Sequence, residues 1–348
     1  MKLGRRWLIT VVTLSLLPFV SIKPTHAAPF QPGQIFVAYG GDKIGVFADT
    51  VSLTGTQVMS PIPIAPSSFG TGSGLLGGGG IALDEFGNLY VTVNNDGTGK
   101  LGIVKVNADG SVAFRRGYER GVGKDLPTSV EDFRSLVVYS GRIYVATNSG
   151  IRVFDATTGS RISTADFGGT LAFRDLAFDG QGNLYALREY PTGTVNIHRW
   201  SAGNFTGTGT ILFSESGNRD PRALVVDEQG NIYFTVNNPA PVGSVVRKYK
   251  QDGTLLATYN VPSGTGTLIG LDYDPGTQRL FASHTGTGIG QILWIDRNAP
   301  SGATMNAFGP NNLSGARWLA VYPTSEPAAA VLLLAGLGWL VRRVRRRS

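Results

Sequence analysis

The chain has no cysteine among its 348 residues. Disulfides, thiolate nucleophiles and thiolate metal sites are therefore excluded, and the fold must hold by packing and hydrogen bonding alone. Histidine is nearly absent, with only His26, His198 and His284. No G-x-S-x-G elbow or H-E-x-x-H helix occurs, and the glycine run Gly77–Gly80 leads into a strand pattern rather than a phosphate-cradling helix. Charged residues make up only 16%, while glycine occurs 48 times. That balance disfavours long helices and suits many short strands joined by tight turns, because glycine weakens helix interiors and supplies positive φ.

The formal net charge of +7 is an end effect. Lys2, Arg5, Arg6 and Lys23 lie in the first 28 residues, and Arg342, Arg343, Arg345, Arg346 and Arg347 lie in the last seven. Removing these nine leaves −2 for the body, which argues against nucleic acid as a partner. Residues 1–28 follow a basic start with an apolar run, Trp7 to Val20, and small residues at Ala27 and Ala28. This is the layout of a secretory signal peptide cut near Ala27–Ala28, with an uncut N-terminal anchor as the alternative. Residues 324–348 place a polar triplet, Ser325, Glu326 and Pro327, before an apolar stretch, Ala328 to Val341, and the five arginines. Fourteen apolar residues make about 21 Å of helix, short of a hydrocarbon core of about 30 Å, and the arginines favour the cytoplasmic side.

That tail resembles the PEP-CTERM sorting signal of Gram-negative bacteria, which combines a Pro-Glu-Pro motif, a short hydrophobic helix and an arginine cluster. Glu326 and Pro327 match the motif, and Ser325 stands where the first proline would be. The resemblance implies an exosortase-type processing protease as a partner, membrane attachment through the C-terminal helix before processing, and residence at the outer surface or in its exopolysaccharide matrix. An ordinary tail-anchored helix is the alternative.

Between the ends, over residues 29–323, one pattern recurs. A short strand is followed by a turn with Asp and Gly, then by a second strand with an aromatic residue. It reads GIALDEFGNLYVTVNN from Gly80, SLVVYSGRIYVATNS from Ser135, DLAFDGQGNLYALRE from Asp175, ALVVDEQGNIYFTVNN from Ala223 and, more weakly, GLDYDPGTQRLFASH from Gly270. Asp84, Asp179 and Asp227 can bond the turn backbone, and Gly87, Gly182 and Gly230 supply its unusual φ. Third strands follow, as in GIVKVNADG from Gly102 and SVVRKYKQDG from Ser244, and fourth strands are expected after them, as in LLATYN from Leu255. The aromatic anchors Tyr90, Tyr144, Tyr185, Tyr233 and Phe281 lie 41 to 54 residues apart. Four strands at that period mark a β-propeller blade.

One blade is split. QIFVAYGGDKIGVFA from Gln34 lacks a first strand, and ARWLAVYP from Ala316 supplies one at the far end, its LAVY matching LVVY at Leu136–Tyr139. Pairing the two ends closes an all-β ring of six blades and removes two exposed sheet edges. A seventh blade would need a copy within residues 51–79, which reads only as Pro-, Ser- and Gly-rich loop. The D-x-x-G-N-[LI]-Y turns at Asp84–Tyr90, Asp179–Tyr185 and Asp227–Tyr233 resemble those of NHL-type and gluconolactonase-type six-bladed propellers, and superficially those of the streptogramin lyases. One fold hosts many functions, so the resemblance bears on architecture first.

Two residue sets are candidate sites. Arg134, Arg174, Arg222 and Arg317 occupy equivalent positions before the inner strands and would gather at one mouth of the channel. Guanidinium forks suit carboxylate, sulfate or phosphate, unless each arginine pairs with a neighbouring acid such as Asp132, Asp175 or Asp220. Asn94, Asn148, Glu189 and Asn237 lie four residues after the anchor aromatics. One carboxylate among amide oxygens could hold a hard cation such as Ca²⁺, though no cofactor is required and turn asparagines are common for conformational reasons. The gluconolactonase resemblance implies an axial divalent metal held by Glu, Asn and Asp. His198 falls in a third strand, away from the axis, and His284 falls nearer a mouth. The combined expectation is an exported, surface-associated propeller that binds polysaccharide, an envelope protein or a small anion. The alternative is a secreted metal-dependent lactonase or lyase.

Mass spectrometry of the exported protein tests the addresses. The product is expected to begin near Ala27–Ala28 and to lack the arginine cluster, and Pro327→Ala is expected to leave that cluster attached.

Overall fold

In a computed structural model, the described residues are 30–324 without 40–42, 49, 54, 64–78, 95–99, 128–130, 190–192, 218–219, 239–242, 263–265, 287–288, 309–312 and 314–315. The leader expected over 1–28, and all of the tail expected over 324–348 except Thr324, lie outside them. No helix among the described residues is long and apolar enough to cross a membrane.

The strands form six antiparallel sheets. Blade 1 combines β1 (Ile35–Tyr39), β2 (Lys43–Phe47) and β3 (Gln57–Pro63) with β23 (Leu319–Val321) from the other end of the chain. Blade 2 is β4 (Ile81–Leu83), β5 (Leu89–Asn94), β6 (Lys100–Val106) and β7 (Val112–Glu119). Blade 3 is β8 (Phe133–Tyr139), β9 (Arg142–Thr147) and β10 (Gly150–Asp155). Blade 4 is β11 (Asp175–Phe178), β12 (Leu184–Glu189), β13 (Val195–Trp200) and β14 (Thr210–Glu215). Blade 5 is β15 (Leu224–Val226), β16 (Ile232–Asn237), β17 (Ser244–Tyr249) and β18 (Leu255–Asn260). Blade 6 is β19 (Gly266–Asp274), β20 (Arg279–Gly286), β21 (Ile289–Asp296) and β22 (Asn306–Phe308).

The seam forms as the sequence predicts. β1 pairs with β23 in the register Ile35↔Val321, Phe36↔Ala320 and Val37↔Leu319. A second clasp lies beside it: the buried Asp274 carboxylate accepts from Thr50 Oγ1 at 2.6 Å and from Thr324 N at 3.1 Å. Residues from both ends of the ring thus converge on one acid of blade 6.

Two elements depart from expectation. The stretch read as loop contains β3, which carries Pro61 and Pro63. It is tolerated because β3 is the outermost strand of its blade, and proline within sheets is confined to such edge strands. Blade 3 has three strands instead of four. Its outer edge is covered by an irregular segment that meets β10 at the isolated bridges Ile151↔Phe167 and Phe154↔Arg161, through Ile162 N to Val153 O at 2.8 Å, and through Val153 N to Asp166 Oδ1 at 3.0 Å.

The core is divided among the blade junctions. Ile35 and Val37 pack with Phe281, Ile292 and Phe308 of blade 6, while Phe36 and Ala38 pack with Leu89, Val91 and Val93 of blade 2. The period-2 alternation of a strand sends successive side chains to opposite neighbours. Both faces are buried, which is why these strands read as continuous apolar runs. The same division recurs between blades 2 and 3, 3 and 4, 4 and 5, and 5 and 6.

The repeated turn is a closed hydrogen-bond unit. In blade 4, Asp179 Oδ1 accepts from Gln181 N and Asn183 N, both at 2.9 Å. Its Oδ2 accepts from Asn183 Nδ2 at 2.8 Å and Tyr185 Oη at 3.0 Å. Asp84 and Asp227 repeat the pattern with Asn88 and Tyr90, and with Asn231 and Tyr233. Each tyrosine also lies under a cation from the paired third-strand residue: Lys105, Arg199 or Lys248. Burial, followed by the adjacent aspartate, raises the pKa of all three tyrosines well above the ordinary phenol value.

Gly182 meets two demands at once. Its φ is +80°, and an added Cβ would lie 2.4 Å from Tyr139 Oη of blade 3. Gly182→Ala is therefore expected to destabilise the ring by about 1–3 kcal/mol, read as a lower denaturant midpoint with an unchanged slope. An unchanged midpoint would refute the close approach.

Candidate functional site

All six inner strands run the same way along the axis. Their starts therefore share one mouth, and the turns that follow them share the other. The four arginines stand at the first mouth. Arg174 and Arg222 converge on Asp220, with Arg222 Nε 2.7 Å and Arg174 Nη2 4.0 Å from its Oδ1. Asp220 sits at φ +46° between them, a conformation aspartate tolerates better than most residues. Asp132, one of the acids expected beside the ring, faces Arg120 at 3.4 Å. Arg134 lies within β8. Arg317 lies in the seam, where its N–H donates to Ala38 O and its carbonyl accepts from Ser283 Oγ. The structure thus joins two of the four arginines through one acid.

The asparagines of the second set act between backbones. Asn94 Nδ2 donates to Phe133 O at 2.7 Å, and Phe133 N donates back to Asn94 Oδ1 at 3.2 Å, tying blade 2 to blade 3. Asn237 does the same between blades 5 and 6, donating to Leu268 O at 2.9 Å and accepting from Leu268 N at 2.8 Å. Asn148 Oδ1 accepts from Asp132 N at 3.1 Å within blade 3. The side chain of Glu189 lies outside the described residues. With the Asn94 and Asn237 amides turned to neighbouring backbone, these two positions do not fit a calcium cage. No group of three or more His, Asp or Glu able to hold a metal occurs among the described residues.

Both described histidines are enclosed. His198 donates from Nδ1 to Thr208 O at 2.8 Å in a third strand, packed against Phe173 and Trp200. His284 in β20 is 6% exposed. Burial holds the pKa of each below the usual imidazole value.

The channel itself carries Asp175, expected to pair with an arginine but bonded elsewhere, and Asp272, which sequence reading missed. A cavity of about 780 Å³ is lined by inner-strand residues of every blade. Its walls are mainly apolar, with Asp175 and Asp272 set into them. Asp175 opens β11. Its Oδ1 accepts from Ser135 Oγ of blade 3 and from Leu176 N at 2.8 Å, and its Oδ2 accepts from Leu224 N of blade 5 at 2.7 Å. One carboxylate thus joins three blades. Asp272 of blade 6 accepts from Tyr273 N at 2.8 Å and from Val321 N of blade 1 at 2.7 Å.

These bonds have a simple origin. Inner strands of adjacent blades share no ladder, so N–H groups on the channel side need other acceptors. Burial pushes both acids up to about 7, against the bonds to Ser135, Leu224 and Leu176 at Asp175 and to Val321 and Tyr273 at Asp272. The Asp272 charge raises Asp175 further, and Asp274 raises Asp272. The arrangement can accept hydrogen bonds and positive charge in a largely apolar space.

No protein-family profile matches the chain, and no curated protein matches it. Solved structures share its fold. A chain of a nidogen–laminin complex is 14% identical with a TM-score of 0.59, over 84% of this chain and 99% of that one. A Bacteroides caccae protein of unknown function is 12% identical with a TM-score of 0.54, over 83% and 98%. A putative 6-phosphogluconolactonase from Bacteroides fragilis is 13% identical with a TM-score of 0.51, over 82% and 96%. Likeness at this identity establishes the propeller fold and nothing finer.

The carboxyl pair makes stability depend on pH with a definite sign. A carboxyl raised from 3.8 to about 7 contributes its full stability in acid and loses it as pH climbs through about 7. The buried histidines act oppositely but only below 6.5, their ordinary value. Between pH 6.5 and 8 the acids dominate, so the thermal midpoint is expected to fall by several degrees, on the order of 2 kcal/mol. A midpoint that is flat or rises across that window would contradict the burial of the pair.

Proposed function

We propose that this chain is an exported, envelope-associated binding protein whose ligand seat is the central channel. The observation that carries this reading is the cavity of about 780 Å³, mainly apolar and built from all six blades. A large apolar cavity with a few convergent polar groups is the usual form of a small-molecule site. The polar groups here are already held by backbone N–H donors and serve as fixed acceptors. The export signal and the sorting-type tail supply the address, with processing by an exosortase-type protease and residence at the outer surface of a Gram-negative envelope. Polysaccharide or an envelope protein would then meet the propeller from outside.

The lactonase alternative draws on the likeness to a protein named a putative 6-phosphogluconolactonase. It needs an axial metal, and two of the asparagines that would hold it, Asn94 and Asn237, are engaged between blades. Binding is therefore the better-supported reading.

The test uses the neutral dye Nile red on the full chain, with Ala82→Trp and Val225→Trp. Both positions line the cavity and are partly buried, in blades 2 and 5. One dye per chain is expected, with affinity at least tenfold weaker in both variants while their unfolding midpoints stay near the parent's. Equal binding in all three proteins would remove the channel as the seat.

A further inference from the structure

We propose that the channel is selective for an organic cation, a primary amine carried on an apolar body. This inference rests on the channel being the ligand seat and adds the chemistry of what it takes.

Charge complementarity comes first. The residues lining the cavity include four carboxyls, Asp84, Glu85, Asp175 and Asp272, and no lysine, arginine or histidine. The basic groups of the inner strands, Arg134, Arg174, Arg222 and Arg317, stand at their starts, and none is part of the lining. The channel is thus acidic from its floor to the turn-side mouth, where Glu85 is exposed. A cation entering there is drawn toward the carboxyls of the lining.

Acceptor capacity comes second. A carboxylate offers about four lone-pair sites. Among the described residues, Asp272 receives two donors, Tyr273 N and Val321 N, one on each oxygen. It is half-buried, with part of its surface on the cavity. Capacity for an ammonium therefore remains on both oxygens. Asp175 receives three donors and keeps less. Asp175 feels the charge of Asp272, Asp272 feels that of Asp274, and burial raises both. A bound cation relieves the repulsion and the desolvation together.

The walls come third. Phe86, Phe178, Tyr273, Trp318 and Tyr322 all line the cavity. Aromatic faces attract cations as well as apolar chains, most strongly where water is excluded. An anion finds no basic side chain in this lining and meets four carboxyls instead. A neutral alkane would leave the acids uncompensated.

Calorimetry on the full chain with octylammonium, octanol and octanoate, below their micellar concentrations at pH 8, separates the possibilities. Octylammonium is expected to bind one per chain, at least tenfold more tightly than octanol, with octanoate weaker still. Ala82→Trp and Val225→Trp are expected to abolish it. Asp272→Asn is expected to weaken octylammonium at least tenfold and to leave octanol unchanged. If that variant does not fold, the parent protein supplies the same readout. As the titratable groups of the lining (Asp84, Glu85, Asp175, Asp272, Tyr273 and Tyr322) are carried from pH 6 to pH 8, octylammonium affinity should rise at least tenfold while octanol stays flat. Octanol binding as tightly as octylammonium, with both lost in the tryptophan variants, would overturn the cation assignment and leave the channel seat standing. Octylammonium binding that survives both tryptophan variants would be surface adsorption and would overturn it too. No binding by any of the three, with Nile red also indifferent to the variants, would overturn both readings.

Discussion

Six sheets around an axis share no backbone ladder from one to the next, and everything specific to this molecule answers that constraint. Each blade is internally complete, with its own antiparallel pairs. Between inner strands, only side chains can act; farther out, Asn260 of β18 also pairs by backbone with Ala303 and Met305 beside β22. Apolar packing supplies the bulk of the junction, because each strand sends alternate residues to the blade on either side. Packing alone has no direction, however, and would let blades slide. Direction comes from buried polar side chains that reach across the gap: Asn94 to Phe133, Asn237 to Leu268, Asp175 to Ser135 and Leu224, and Asp272 to Val321. A buried amide or carboxylate left without such partners costs about 1–3 kcal/mol, so the blade positions are fixed to those that satisfy them.

Much of this was legible in the sequence where a local unit repeats. The Asp-x-x-Gly-Asn-Leu/Ile-Tyr turn appears three times because its Asp, Asn and Tyr side chains and its Gly φ are all used within seven residues. Closure was legible for a related reason: LAVY at Leu319–Tyr322 repeats LVVY at Leu136–Tyr139, and both tyrosines approach a turn glycine of the next blade, Tyr322 at Gly87 and Tyr139 at Gly182. β3 was not legible, because its prolines carry a turn signal that only its outermost position neutralises. The missing fourth strand of blade 3 was hidden by a segment that covers the edge through scattered bridges and side-chain bonds instead of a ladder.

The site illustrates the limit more sharply. Asn94 and Asn237 were picked out by equivalent position, and their position is indeed equivalent, but the chemistry they share is a bond to the following blade. Arg174 and Arg222 were picked out in the same way, and Asp220 stands between them. Asp175 and Asp272 have no equivalence to each other: one opens β11, whereas the other lies two residues before the end of β19. Repeat alignment therefore passes over them. The available signal was different in kind, a single acid inside an otherwise apolar inner strand, as in DLAF and GLDYD. An ionisable group in such a strand needs a reason, and here its neighbours across the axis provide one.

The same acids that fix the blades also define what the channel is. An acceptor already held by a backbone N–H is oriented before any ligand arrives, so it adds little ordering cost on binding. The price is charge repulsion in a low-dielectric space, which the ring tolerates by letting both acids titrate near neutrality. Structural stitching and ligand selection are therefore one arrangement. Replacing Asp272 by a hydrophobic residue would remove the repulsion but orphan Val321 N at the seam. That coupling explains why acids persist in a wall that packing alone would make apolar, and it ties the chemistry of the channel to the closure of the ring.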